Sequence, residues 1–439
     1  MRKAIETLKN IWKIEDLRQR ILITILFVAI YRFGSYVVLP GINPAMLTQL
    51  HQQTSEGLLA LLNMFSGGAF SNASIFALGI MPYISASIVI QLLGIAVPYF
   101  QKLQREGESG RRKMNQYTRY LTIIILLVQA PSYLLNLKMQ AGPSLNASLD
   151  WTLFMVTSTI ILAAGSMFIL WLGERITENG VGNGISIVLL INIISGMPSD
   201  FATLYSTFVA PRTIAKGVLA AAIIIAILVV MVVLVCFLQD GERRIPVQYS
   251  QKVSGRKTFG GQSTNIPLKV NTAGVMPVIF ASSLMQFPVI IAQLFGKSYE
   301  WTRYLSSSYW CRISAPKYSI GLILYIVLLI IFAYFYTSIT FNPIEVADNL
   351  KKAGGVIPGI TPGKSTSDYL NNILNYIVFV GAVGLLIIAL IPIMCTGFFN
   401  ASVSFGGTSV IIIVGVVLET LKQIESQMVN RYYKGFLSE

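Results

Sequence analysis

The side chains able to do chemistry are few and scattered. One histidine, His51, and three cysteines, Cys236, Cys311 and Cys395, are the only imidazole and thiol groups. They stand at no metal-binding, haem or redox spacing and form no disulfide framework. No GxxxxGK[ST] phosphate loop, GxSxG elbow or HExxH helix occurs. Ionisable groups deep in apolar segments mark transport paths, and Arg32 is the one clear instance. Glu174, Arg175 and Glu419 fall near the ends of such segments. Arg32 fits a path-lining role or, more ordinarily, pairing with a neighbouring helix. No catalytic constellation, metal site or cofactor site emerges, so an enzyme is not expected. Energy for any transport must come from a partner or from the membrane potential.

The elements that position these groups follow from composition. Of 439 residues, 54% are hydrophobic and 12% charged, against roughly 25% charged in soluble domains. So little charge cannot coat two or three soluble domains, and lipid is the expected covering. A bilayer core needs about 20 apolar residues per helix. Candidate spans lie near 21–39, 73–93, 118–137, 151–173, 184–197, 213–238, 273–294, 318–341, 373–393 and 406–423, the fifth being the shortest. Residues 1–20 read as a basic amphipathic helix on the membrane surface or as a solvated tail.

Charge sets the orientation. The chain carries 33 Lys and Arg. With the N-terminus inside, 25 of them fall in the N-tail, the even-numbered loops and the C-tail, 7 fall on the other side, and Arg32 lies within a span. Basic loops stay cytoplasmic, so both termini are expected inside. The alternation also requires the short fifth span.

Two segments match at an offset of 195 residues: GIMPYISASIVIQ from Gly79 to Gln91, and GVMPVIFASSLMQ from Gly274 to Gln286. Seven of thirteen positions are identical. Five spans separate them, so they cross in opposite directions, the mark of inverted halves with a functional path at their interface. Chance likeness between two apolar segments is the alternative. Ahead of span two, residues 58–71 read LLALLNMFSGGAFS. This stretch is too short to span and is broken by Gly67-Gly68. It suits either a re-entrant segment or an external amphipathic helix. Ile80, Ile84 and Ile279 occupy central positions, where branched apolar side chains can exclude water and ions or simply pack helices. The loops 239–271 and 342–372 are basic and long for helix connections. They could dock a partner, beyond anchoring the topology by their charge.

These stretches together resemble the SecY family, the channel subunit of the bacterial Sec translocon. The resemblance covers the whole chain and is carried by Asn63 to Gly94, Gly107 to Tyr120, Trp171 to Ile187, Gln262 to Ser283, Phe341 to Lys352 and Phe405 to Ser409. It implies an all-α integral membrane protein of ten transmembrane helices in two inverted pseudo-symmetric halves, 21–197 and 213–423. An external hinge loop at 198–212 and a cytoplasmic tail at 424–439 complete the division. It implies an apolar pore ring of Ile80, Ile84, Ile185, Leu189, Ile279 and Ile412. It also implies a plug near 58–71 that includes Asn63, Met64, Phe65, Ser66, Gly67 and Gly68. A lateral gate would carry Ser85, Ser87, Gln91, Ser282, Ser283 and Gln286.

By the same resemblance, unfolded preproteins would cross the cytoplasmic inner membrane and apolar segments would leave sideways into the lipid bilayer. The implied partners are SecE, SecG, the ATPase SecA, the ribosome and accessory translocon subunits. Arg243, Arg244, Lys252, Arg256, Lys257, Lys351, Lys352 and Lys364 are the implied docking residues. Thr361 stands where many relatives carry Arg, and Lys364 is expected to supply the missing charge. A secondary transporter of a small solute is the competing reading. The lack of midplane ionisable groups argues against it.

Overall fold

The computed structural model describes residues 14–43, 63–140, 150–210, 214–249, 252–254, 257–259, 263–294, 300–305, 310–311, 316–399 and 407–434. A helix overlaps each of the ten candidate spans. The first is α1 (Glu15–Gly34), with Glu15 and Asp16 in its first turn and Arg32 in its last, the charge order that suits the helix dipole. The second candidate begins later than hydropathy implies. Residues 75–80 are turns, and α2 (Met81–Ala96) starts only at Met81 with a proline in its first turn, where the missing N–H costs nothing. Val97 is extended before Pro98, and a new helix, α3 (Pro98–Arg105), sets off at a bend of 101°, since a residue preceding proline disfavours the helical region.

Two long helices follow, α4 (Glu108–Gln140) and α5 (Trp151–Asn179). The Asp150 side chain caps α5 by accepting from the Thr152 N–H. Asn183 likewise caps α6 (Gly184–Leu204), accepting from the Ile185 and Ser186 N–H groups. The apolar pattern places the end of this helix at Met197, with a loop at 198–212. That expectation fails for the described part. The helix runs through Pro198 to Leu204 and continues as a π-helical turn, Tyr205–Val209. Pro198 followed by Ser199-Asp200 reads as a helix end, yet the chain stays helical through them into the apolar residues beyond. Next comes α7 (Ile214–Asp240).

The chain is not purely helical. Strands β1 (Glu242–Tyr249) and β4 (Ser263–Lys269) pair antiparallel, and β2 (Lys252–Ser254) pairs with β3 (Lys257–Phe259) in a separate hairpin. After α8 (Met276–Leu294), α9 (Glu300–Leu305), α10 (Ile320–Thr340) and α11 (Pro343–Lys352), strand β5 (Gly355–Val356) joins the free edge of β1. The sheet order is therefore β4-β1-β5. Ile245 and Val247 alternate inward along β1, as a half-buried strand requires. They meet Leu268, Leu350, Ile357, Leu370, Ile373 and Ile377 in one small core. The two long basic loops are thus a single folded unit. Helices α12 (Lys364–Phe399) and α13 (Gly407–Lys434) end the described chain.

Six helical segments among the described residues are long and apolar enough to cross a bilayer: 108–138, 151–179, 184–209, 216–240, 316–352 and 364–395. The bent pair α2 and α3 makes up to seven. Large apolar side chains cover the outside, as Val218, Leu219, Ile223, Val229, Val230 and Phe237 do on α7. In water such a face would drive association, and against lipid it is at home. The principal core draws on α1, α2, α5, α6, α7, α8, α10, α12 and α13 together.

Candidate pore constriction and seal

The repeated segments are built alike. Gly79 has φ +55° and Gly274 has φ +63°, a region costly for any residue with a Cβ. Two residues further on, each chain enters a helix at Met81 or Met276, with proline next. The two matched glycines therefore turn the backbone at equivalent points, and each helix delivers an isoleucine to the centre.

The six ring candidates converge. Ile80, Ile84, Leu189, Ile279 and Ile412 belong to the principal core, and Ile185 packs against it. Ile84, Ile185, Leu189, Ile279 and Ile412 line a cavity of about 440 Å³ that is also lined by Asn183, Gln239, Lys269, Asn271, Glu419 and Lys422. Ile80 lies one turn before Ile84, whose N–H donates to the Ile80 carbonyl, and is 1% exposed. Four helices thus bring branched apolar side chains around one narrow space.

The Gly-broken segment folds into the bundle. Residues 63–66 form a helical turn, then Gly67 (φ +64°) and Gly68 (φ +86°) reverse the chain. Asn63 closes the turn on itself. Its Oδ1 accepts from the Ser71 N–H at 3.0 Å, and its carbonyl accepts from the Gly68 N–H at 3.0 Å. Met64 and Phe65 are buried in the same core as the ring, and Ser409 Oγ donates to Met64 Sδ at 2.9 Å. Residues 63–71 are therefore an inserted segment and not an external helix. Positions 58–62 lie outside the described residues, as do His51 and residues 1–13.

Arg32 finds a partner, but on the inserted segment and not on a neighbouring helix. It pairs with no acidic residue among those described. Its Nη1 donates to the Gly67 carbonyl at 3.1 Å, and its guanidinium lies 5.7 Å from the Tyr36 ring centre. The sequence reading missed its companions. Asn192 Nδ2 donates to the Phe65 carbonyl at 2.6 Å, Tyr31 OH to the Ser66 carbonyl at 3.5 Å and Tyr133 OH to the Phe70 carbonyl at 2.9 Å, while Ser195 Oγ lies 3.4 Å from the Gly67 carbonyl and donates to the nearer Asn192 carbonyl of its own helix at 2.8 Å. Asn192, set among isoleucines and leucines on α6, was the available signal. A buried amide needs partners, and no short-range pattern names them.

The gate candidates stand on facing helices, α2 and α8, which touch each other, while α8 also packs on α4. Ser85 Oγ donates to the Met81 carbonyl, Gln91 Nε2 to Ser87 Oγ and Ser282 Oγ to the Val278 carbonyl. These bonds stay within their own helices, so none of them ties α2 to α8. Ser283 is buried. The Gln286 side chain lies outside the described residues. Arg243, Arg244, Lys351, Lys352 and Lys364 are exposed on or beside the folded loop unit, with Arg244 paired to Glu242 at 2.6 Å. Lys252 and Lys257 sit in the β2–β3 hairpin, and Arg256 is outside the described residues.

Comparison with known proteins agrees with this architecture. A SecY family profile matches residues 74–421. The protein translocase subunit SecY of Streptomyces galbus is 43% identical over 434 residues, covering 96% of this chain and 97% of that one. The SecY subunit of Halalkalibacterium halodurans is 42% identical, covering 98% and 99%. In fold the chain is similar to a solved protein conducting channel (TM-score 0.62, 17% identity, 94% of this chain and 93% of that one). It is also similar to a solved SecY protein whose plug domain is described as stabilising the closed state and maintaining a membrane seal (TM-score 0.65, 17% identity, 94% and 92%). Sequence identity above two-fifths over nearly the whole length, on a helical bundle with a central apolar constriction, makes this chain a member of the SecY family.

Proposed function

We propose that this chain is the protein-conducting channel of a translocase in the cytoplasmic membrane. The observation that carries this is the constriction. Isoleucines and a leucine from α2, α6, α8 and α13 meet at the cavity, and the inserted Gly67-Gly68 segment packs in the same core. Such a ring excludes water and ions by dewetting. It grips an extended chain without reading its sequence, because it offers no directional bond. A small-solute carrier would need ionisable groups at mid-depth, and Arg32 is bound to a backbone carbonyl instead. No reaction is assigned to the chain.

In this reading ten helices cross the membrane in two inverted halves, with both termini cytoplasmic. The steep turns at Gly79 and Gly274 and the charge distribution support it. Residues 63–71 act as the plug. The α2–α8 contact, free of interhelical hydrogen bonds among the gate serines, acts as the lateral gate through which apolar segments reach lipid. The sheet shared by the two loops makes one rigid basic platform. Its Arg243, Arg244, Lys351 and Lys352, together with Lys364, would meet a ribosome or the motor SecA. SecE and SecG would cover part of the exposed apolar exterior. A photoreactive residue at Ile84 or Ile279 tests the assignment. In vesicles carrying the assembled translocon, both positions should capture a stalled secretory chain. Active translocation with capture at neither would refute the pore.

A further inference from the structure

The plug is held largely by its main chain. Hydrogen bonds reach its backbone carbonyls from Arg32, Asn192 and Tyr133, with longer contacts from Ser195 and Tyr31, and among the described residues only the bond from Ser409 to Met64 Sδ ends on a side chain. Around Gly67 the fit is close. A Cβ there would stand 2.6 Å from Asn192 Oδ1 and 2.7 Å from Arg32 Nη1. Asn192 is fully buried, and its Oδ1 has no hydrogen-bond partner, although buried polar atoms are nearly always satisfied. The socket therefore presents a guanidinium donor, an amide donor and a vacant amide acceptor. That set matches the C=O and N–H of any extended polypeptide.

Its position matters as much as its chemistry. Ile185, Leu189, Asn192 and Gly196 are spaced at 0, 4, 7 and 11 along α6, so they form one stripe on the helix face. Ile185 and Leu189 line the constriction. A chain leaving the ring along this stripe meets Asn192 next. If the plug moves away, Arg32 and Asn192 lose their carbonyls, and the fully buried Asn192 amide in particular must find a replacement.

We infer that the Arg32–Asn192 socket, flanked by Ser195, is a main-chain binding site with two successive occupants. The plug fills it at rest, and the backbone of the polypeptide in transit fills it once the plug has left. This rests on the channel reading above. Because the socket binds peptide groups and not side chains, it accepts every substrate sequence, and the incoming chain replaces the bonds that plug release breaks.

The test uses the full chain assembled with its partner subunits in vesicles. Gly196 continues the stripe and has open space at its Cβ position, so a photoreactive residue placed there reports the occupant. It should capture the plug in the resting channel and the stalled polypeptide in the engaged one. Capture of that polypeptide at Ile84 but never at Gly196 overturns the socket and leaves the channel reading intact. Capture at neither position overturns the channel reading. In parallel, Asn192→Leu should raise resting ion leak and speed backsliding of a stalled chain, each by about fivefold for one lost hydrogen bond. Arg32→Lys, which keeps a donor, should fall between wild type and Arg32→Leu on both readouts. Faster leak with unchanged backsliding would mean that the socket serves the plug alone, and would overturn the second occupancy. Should the leucine variants not assemble, the Gly196 probe decides.

Discussion

Replacing Gly67 with alanine should unseat the plug, and replacing its neighbour Gly68 should do so far less. Both residues have positive φ, at +64° and +86°, so each alanine carries a left-handed backbone cost of about 1–2 kcal/mol. That term is common to the two variants and largely cancels between them. The surroundings differ. The new methyl at 67 would press on Asn192 Oδ1, on Arg32 Nη1 and, at 3.0 Å, on the Asn192 Cα, whereas at 68 nothing lies within 4 Å. Relief requires the Arg32 and Asn192 side chains to withdraw, and the bond from a charged donor alone contributes roughly 1.5–3 kcal/mol. The seated-to-unseated ratio should therefore fall about 10- to 100-fold further for Gly67→Ala than for Gly68→Ala. Resting ion conductance of vesicles holding the assembled channel reads this ratio, with substrate-engaged conductance as the internal reference. Equal leak in the two variants would show that the packed contacts at Gly67 do not hold the segment, and the reasoning would fail.

Further outcomes follow from other parts of the molecule. Ile84→Ser with Ile279→Ser should raise ion leak through the engaged channel, because hydroxyls wet the constriction; unchanged conductance would mean these side chains only pack helices. Gly184→Val should abolish assembly, since its Cβ would run into the Gly173 carbonyl where α5 and α6 touch, a backbone clash costing about 3 kcal/mol or more; normal yield and thermal stability would contradict it. Arg119→Ala should leave the melting temperature within about 2 °C of wild type, because the Arg119–Glu174 bridge at 2.7 Å is 47% and 31% exposed and such pairs contribute under about 1 kcal/mol. Partial burial pushes the Cys311 thiol above its ordinary pKa. In a Cys236→Ser, Cys395→Ser background its maleimide alkylation should therefore be slower than that of a free thiol at neutral pH and climb as the pH rises. A rate matching free cysteine at neutral pH would refute that.

Much of this protein is written in local pattern. Apolar runs of about 20 residues answer to the thickness of a bilayer and nothing else, so the segments that became α4, α5, α7, α10 and α12 could be placed from composition. The offset of 195 residues located both glycine turns, because a sharp left-handed turn at that depth admits few other residues. Ile84 and Ile279 follow once the repeat is aligned, whereas Ile185, Leu189 and Ile412 lie outside it and rest on the family resemblance. Tertiary structure decided what local pattern cannot encode. The strands of the loop 239–271 earn their stability from β5 and from Leu350, Ile357 and Leu370, which lie about a hundred residues away. The extension of α6 past Pro198 was hidden because Pro198 and the Ser199-Asp200 pair read locally as a helix end, although the chain stays helical to Val209. Arg32 shows the limit most directly. Its sequence neighbours announce a charge in an apolar helix, but the group that satisfies it is a backbone carbonyl on Gly67. Every residue carries such a carbonyl, so no residue type can advertise the partner, and only the fold that brings α1, α6 and the inserted segment together makes the choice.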